Sequence, residues 1–272
     1  MTGHVFLVDA IRTPIGRRAG GLAHIHPINL AAHVLRALVQ RSQIEASTVD
    51  DVIMGCVTQT GEQGANIARL AVLQAGFPVS VPAFSLNRMC GSSQQAIHNA
   101  AQAILAGDAD LVIAGGVESM SRVTMGSDWN DPVAPPGMPF DLPHQGISAE
   151  YVARNYRLSR AELDDYSYTS HLRAAAATHA GRFEHEIVPL AEAPTVQHDE
   201  GIRFEPDRER MRQLAPAFVP EGVITAANSS QISDGAAAVL LASEAALERY
   251  GLQPRARVAW RAVVGSDPVV ML

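Results

Sequence analysis

Apolar, strand-like runs alternating with helix-period segments predict a layered α/β protein with a largely parallel sheet. Three observations carry the prediction. Short apolar runs recur at Val5 to Ala10, Asp51 to Val57, Pro82 to Leu86 and Ala109 to Gly115. Helical periodicity separates them, over Asn29 to Arg41, Gln63 to Ala75 and Ser92 to Leu105. The 272 residues are 47% hydrophobic and 18% charged, an ordinary balance for a globular chain that can bury one large core or two smaller ones.

Taken in order, Val5 to Ala10 has the continuous apolar character of a buried strand, and Asn29 to Arg41 reads as an amphipathic helix. Asp51 to Val57 is the next strand, Gln63 to Ala75 the next helix, and Pro82 to Leu86 a short strand that gives way to the alanine-rich helix from Ser92 to Leu105. Ala109 to Gly115 closes this series as another apolar strand. Composition then changes: Gly126 to Gly146 holds five prolines and three glycines with little periodicity, as expected of a long irregular excursion. Two helices follow, near Ser148 to Tyr156 and Arg160 to Gly181. The second opens on Ser159-Arg160-Ala161-Glu162, a capping box whose two side chains can satisfy free helix N–H groups. Phe183 to Phe218 is again proline-rich, charged and weakly patterned. Val223 to Ser230 and Gly235 to Ala242 resume strand character before a short helix at Glu244 to Tyr250. Residues from about Met120 to Pro220 therefore read as an insertion that caps the sheet ends. Ala256 to Val264 alternates as a strand should, yet no helix follows to cover it before Leu272, so the polypeptide is expected to be incomplete.

Several function classes are disfavoured by composition. A net charge of -7, with arginines scattered except at Arg17-Arg18 and between Arg203 and Arg212, does not supply the basic face that nucleic-acid binding needs. Gly20-Gly21 and Gly115-Gly116 fit neither the dinucleotide nor the P-loop fingerprint. Two cysteines, Cys56 and Cys90, make no disulfide framework and no thiolate-only zinc site, which points to a reducing compartment. His24 and His26 have His-x-His spacing without a further ligand cluster, so no metal is expected. No apolar run approaches the roughly 18 residues of a membrane span, no charged leader opens the chain, and a cytoplasmic location is expected.

Cys90 is the residue around which chemistry is expected. It lies in Asn87-Arg88-Met89-Cys90-Gly91-Ser92-Ser93, where strand gives way to helix. Unpaired N–H groups and the positive end of the helix dipole favour a thiolate there and can hold an oxyanion. Ligands of open α/β sheets also collect at strand C-terminal ends, where Cys90 and Gly115-Gly116-Val117-Glu118 both fall. The competing reading is a buried cysteine acting as a small hydrophobe. His98, in the same helix eight residues on, lies about 12 Å along the axis and cannot reach the thiol, so it is read as packing. Cys56 is likewise read as core. Gln63, Asn66 and Arg69 are spaced to share one helical face.

These residues resemble the thiolase family almost from end to end. Asp9 to Gly16 (DAIRTPIG) resembles the family's opening, Gly61 to Pro78 its Asn-Ile-Ala-Arg helix, and Asn87 to Ser93 its nucleophile motif. Gly115 to Met120 resembles the following loop, and Gly222 to Ala238 (GVITAANSSQISDGAAA) the late signature. The resemblance implies a thiolase-like layered α/β fold. In it, residues 1–119 and 221–250 would form the N-terminal mixed-sheet half, 120–220 an inserted loop domain covering coenzyme A, and 254–272 the first strand of a C-terminal half otherwise missing here. The family's Asn-Glu-Ala-Phe motif, Gly-His-Pro histidine and second catalytic cysteine belong to that other half.

The activity implied is acyl transfer between coenzyme A thioesters, which serve as substrates rather than as a permanently bound cofactor. Cys90 matches the acylated nucleophile, with its own N–H as half of an oxyanion hole. His144 resembles the histidine beside the pantetheine arm, Ser230 the serine that hydrogen-bonds it, and Arg203 an arginine near the adenosine end. Phe218 would add an apolar wall, and Arg210 replaces a neighbouring family serine. The resemblance places the Gln63 to Arg69 region near a subunit contact and implies a homodimer or homotetramer. Gln94 and Thr225 to Ser230 lean towards 3-ketoacyl-CoA thiolysis over acetoacetyl-CoA formation. A ketoacyl or hydroxymethylglutaryl condensing enzyme and a non-catalytic acyl-CoA-binding or dimerising remnant are the alternatives.

Overall fold

The computed structural model describes residues 3–129 and 134–272. In chain order the elements are β1 (Val5–Arg12), β2 (Gly16–Arg17), α1 (Pro27–Ser42), β3 (Asp51–Gly55), α2 (Ile67–Gln74), β4 (Ala83–Leu86), α3 (Ser92–Ala106) and β5 (Leu111–Ser119), then α4 (Gln145–Asn155), α5 (Arg160–His179), α6 (Arg208–Arg212), β6 (Ser233–Ser243), α7 (Glu244–Tyr250) and β7 (Ala256–Arg257). They divide into two compact units. The first comprises Met1–Asp128, Phe183–Gly201 and Ile232–Arg261, and the second Trp129–Arg182, Ile202–Gln231 and Ala262–Leu272.

The first unit is built on one sheet, ordered β4-β3-β5-β6-β1-β7, with β2 paired to β6. Its α/β class is as predicted, and it is mixed, as the family resemblance implies, rather than largely parallel as the strand pattern suggests. β3 runs parallel to β4 and β5, whereas β6 is antiparallel to both β5 and β1, and β7 is antiparallel to β1. Apolar alternation marks a strand and is blind to the direction of its partner, so the pattern alone could not have placed β6.

Both faces of the sheet are covered, which is why β5 (LVIAGGVES) reads as a continuous buried run. Successive side chains point to opposite faces. Val52, Met54, Leu111, Ile113 and Leu240 meet α1 and α2 in the larger core. Ile53, Val112, Ala114 and Leu241 meet Ala96, Ala100, Ala101 and Ile104 of α3 in the smaller one. Alanines along α3 let this helix lie close to the sheet, and Gly107, at φ +83°, ends it in the left-handed conformation that glycine adopts without strain. Phe183–Gly201, which composition assigns to the insertion, belongs with this sheet. The Arg12 N–H donates to Glu186 O and the Val188 N–H to Arg12 O, both at 2.8 Å, and Leu190, Ala193 and Val196 enter the larger core.

In the second unit α5 begins with the capping box expected from sequence: the Ser159 side chain accepts from Glu162 N, and the Glu162 carboxylate accepts from Ser159 N. Arg160 ties α5 to α6, pairing with Asp164 at 2.7 Å while donating to the carbonyls of Met211 and Leu214. Val223 to Ser230, expected as a strand, is a loop. The buried Glu150 accepts the Val223 and Ile224 N–H groups at 3.0 and 2.9 Å, and Asn228 Oδ1 accepts that of Thr225 at 2.7 Å, so side chains take the backbone donors a ladder would need. Of the strand expected over Ala256 to Val264, only Ala256 and Arg257 pair, with Leu7 and Phe6. No helix among the described residues is long and apolar enough to cross a membrane.

Candidate active site

Cys90 owes its position to two glycines. Gly55, the last residue of β3, and Gly116 of β5 are paired in register. A Cβ on Gly55 would lie 2.4 Å from Ser92 C and 2.5 Å from Ser93 N; one on Gly116 would lie 2.2 Å from Ser93 Oγ. Only bare backbone lets the N-terminus of α3 rest on the sheet at this point, and that contact lifts the preceding loop clear of it. Within the loop the Gly91 and Ser92 N–H groups donate to the carbonyls of Arg88 and Met89 at 3.1 and 3.0 Å. The Cys90 N–H has no acceptor among the described residues. The Cys90 thiol is exposed. An exposed thiol beside a free amide at a helix start has what a thioester needs, a nucleophile and a donor for the oxygen that becomes negative.

Cys56 is its opposite. It is buried, and desolvation, followed by the charges of Glu118 and Asp128, pushes its thiol up to about 12. His98 is buried on α3, which suits its reading as a packing residue. His26 caps α1 by accepting from Ile28 N, and His24 Nε2 bonds Glu192 O. No group of three or more potential metal ligands occurs among the described residues.

Beneath the Cys90 loop lies a polar network that the sequence reading missed. Glu118 Oε2 accepts from Val57 N at 2.8 Å, while Oε1 accepts from Gln63 Nε2 at 2.7 Å and Thr58 N at 3.3 Å. Gln63 is fully buried and returns its Oε1 to Ser119 N at 2.6 Å. Gln63, Asn66 and Arg69 therefore do not share a helical face. Gln63 ends a short 3-10 helix (Gly61–Gln63), Asn66 takes a left-handed backbone and caps α2, and only Arg69 lies within the α-helix. The available signal was a carboxylate near the end of an apolar strand, two residues past its Gly-Gly pair.

The other predicted residues fall in the second unit. His144 caps α4, its Nδ1 accepting from Gly146 N at 3.1 Å, and its ring lies 5.4 Å from that of Phe218 at a 32° tilt. Gly146 makes this approach possible, since a Cβ there would lie 2.2 Å from the Phe218 ring. His144 and Phe218 are thus brought together. Arg203 is exposed, with its backbone N–H on His171 Nδ1 at 3.2 Å; burial, then the Arg203 charge, holds the His171 imidazole below its ordinary value. The Arg203 guanidinium has no acidic partner among the described residues. Ser230 is exposed at the end of the loop ordered by Glu150 and Asn228, and Arg210 is exposed on α6.

Comparison with known proteins agrees with this architecture. The family model described as the N-terminal domain of thiolase matches residues 5–245. A 3-ketoacyl-CoA thiolase of Cronobacter sakazakii is 46% identical over 98% of this chain and 72% of its own length. A steroid 3-ketoacyl-CoA thiolase of Mycobacterium tuberculosis is also 46% identical, over 98% of this chain and 69% of its own. Among solved structures, human mitochondrial 3-ketoacyl-CoA thiolase in complex with CoA superposes with a TM-score of 0.88 at 34% identity, covering 99% of this chain and 72% of that one. Family model, curated relatives and shared fold agree with the motifs around Cys90, and the chain belongs to the thiolase family.

Proposed function

We propose that this chain carries out thiolase-type acyl transfer between coenzyme A thioesters, with Cys90 as the acyl carrier, in 3-ketoacyl-CoA thiolysis or acetoacetyl-CoA formation. The single observation behind the reading is the exposed thiol at the start of α3, beside an N–H with no acceptor among the described residues. Cys90 Sγ attacks the thioester carbonyl, the new carbon–sulfur bond forms, and the bond to the coenzyme A sulfur breaks. The proton lost from the Cys90 thiol balances the one gained by the departing coenzyme A thiol. During attack the carbonyl oxygen becomes negative, and the Cys90 N–H stabilises it as a preorganised donor.

For the ligand, the proposed roles are His144 and Phe218 flanking the pantetheine arm, Ser230 as its hydrogen-bond partner, and Arg203 as the cation for adenosine-end phosphate. The His144 and Phe218 stack and an Arg203 guanidinium with no acidic partner among the described residues support these assignments, as does the CoA bound to the human relative. Two unpaired thiols suit a reducing compartment, and the proposed setting is the cytoplasm, as a homodimer or homotetramer. We likewise propose that the chain comprises a nucleophile-bearing sheet half and a loop domain that covers coenzyme A.

The test is intact-mass spectrometry of the chain mixed with acetyl-CoA, beside a 3-ketoacyl-CoA thiolysis assay. An acetyl adduct that disappears in Cys90→Ala is expected. No adduct on Cys90 at saturating acetyl-CoA would overturn the proposal, and an adduct without turnover would identify an acyl-carrying unit that needs further groups to complete the cycle.

A further inference from the structure

Glu118 is linked through Val57 and Asn87 by successive hydrogen bonds to Met89, the residue before Cys90, and none of these bonds touches Cys90 itself. Glu118 Oε2 accepts the Val57 N–H at 2.8 Å. The carbonyl of the same residue, Val57, accepts Asn87 Nδ2 at 2.9 Å. Asn87 Oδ1 in turn accepts the Met89 N–H at 2.7 Å. Met89 carries φ +47°, a left-handed backbone that an unbranched non-glycine residue adopts only where its surroundings hold it. Cys90 is the next residue, so the angle at Met89 decides where the thiol points.

Asn87 suits this place chemically. Its carboxamide is the side chain that donates to the Val57 carbonyl and accepts from the Met89 amide at once, and aspartate cannot do both. Glu118 anchors the other end with two oxygens, engaging Val57, Thr58 and Gln63, so its segment of β5 is locked to the loop after β3. Asn87 is exposed, and the energy of its two bonds is not needed to close a core. We infer that Glu118 and Asn87 form a positioning relay for the nucleophile, with Glu118 fixing Val57, Val57 fixing Asn87, and Asn87 holding the strained turn that aims Cys90. The inference rests on the acyl-transfer reading for its purpose, though not for its geometry.

The experiment is a double-mutant cycle on the 272-residue chain with Asn87→Ala, Glu118→Gln and the double variant. Two rates at Cys90 are read by intact mass: acetylation across a range of acetyl-CoA concentrations, and alkylation by iodoacetamide. Each single variant should lower the limiting acetylation rate by about 10- to 100-fold, the scale set by an ångström of misplacement, with the half-saturating acetyl-CoA concentration unchanged within about twofold. Because Glu118 acts through Asn87, the double variant should be no slower than the slower single. A residue that merely supports the fold would give multiplicative losses and no such split between rate and saturation. Wild-type rates in Asn87→Ala, or losses that multiply in the double variant, would overturn the relay. Should Glu118→Gln fail to fold, the exposed Asn87→Ala and Asn87→Asp decide: both must slow Cys90. If acetyl-CoA leaves even the wild-type chain unmodified, the acyl-transfer reading fails while the alkylation cycle still tests the relay.

Discussion

Replacing Gly55 by alanine should dislodge Cys90 without touching it. The added methyl carbon would lie 2.4 Å from Ser92 C, 2.5 Å from Ser93 N and 2.7 Å from Ser92 Cβ, and ordinary contact begins near 3.4 Å. The first two obstacles are backbone, so no side-chain rotation relieves them, and the start of α3 must retreat by about 1 Å. Overpacking of this kind costs about 1–3 kcal/mol. At about 2–4 °C per kcal/mol for a chain of this size, the melting temperature should fall by about 2–12 °C. Acetylation of Cys90 should slow by about 100-fold, because reaction rate is far more sensitive to an ångström than stability is. Gly116→Ala gives the internal contrast. There the closest obstacle is Ser93 Oγ at 2.2 Å, with Gly55 O and Ser93 Cβ at 3.0 and 3.2 Å, so adding Ser93→Ala should recover much of the loss. Ser93→Ala should do nothing for Gly55→Ala. Thermal melts and acetylation time courses on the four variants check this. A Gly55→Ala chain with wild-type melting and wild-type rate, or one rescued by Ser93→Ala, would refute the seating of α3 on the glycine pair.

Two further outcomes follow from the titrating groups. With the Cys56 thiol pushed up to about 12, only about one in ten thousand molecules is ionised there at pH 8, so iodoacetamide should add once to the folded chain, at Cys90, and a second time only in denaturant; equal labelling of both thiols in the folded chain contradicts the burial of Cys56. His33 is held below its ordinary 6.5, mainly by burial, and bonds Val188 O through Nε2. The unfolded chain takes up a proton near pH 6.5 that the folded chain refuses, so this contribution to stability is complete above that pH and falls away as pH drops through it. Urea unfolding between pH 7 and pH 5 should lose stability more steeply in the wild type than in His33→Gln, and equal slopes would count against it.

What sequence made legible is what local forces decide. β1, β3, β5, α1 and α3 announce themselves because each fills a core with its own periodic face, and Ser159 with Glu162 closes a cap inside four residues. The strand-to-helix junction that carries Cys90 was legible from the runs on either side of it. What escaped was decided at a distance. Val223 to Ser230 has strand composition, but its amides are claimed by Glu150, more than seventy residues earlier. Gln63 looks like a surface residue until Glu118 and Ser119 are brought to it, and then it is one of the most buried polar groups in the chain. Phe183–Gly201 shows little pattern because its register comes from Arg12, which meets Glu186 and Asp199 through its side chain and Glu186 and Val188 through its backbone.

The strand order has a consequence for synthesis. Among the described residues the strands that pair with β1 are β6 and β7, both more than two hundred residues later in the chain, and the one earlier contact is the bridge from Arg12, at its end, to Ile187. At ribosomal speeds of about 5–20 residues per second, β1 waits about 10–45 s for its partner strands while the parallel strands β3, β4 and β5 can already associate. Pairing across so long a span is slow, and an apolar ribbon left open that long is a template for the wrong partner. A nascent chain arrested before Ser233 is therefore the species that should recruit holding chaperones, and release of the chain through Ser243 is the step that ends the need for them.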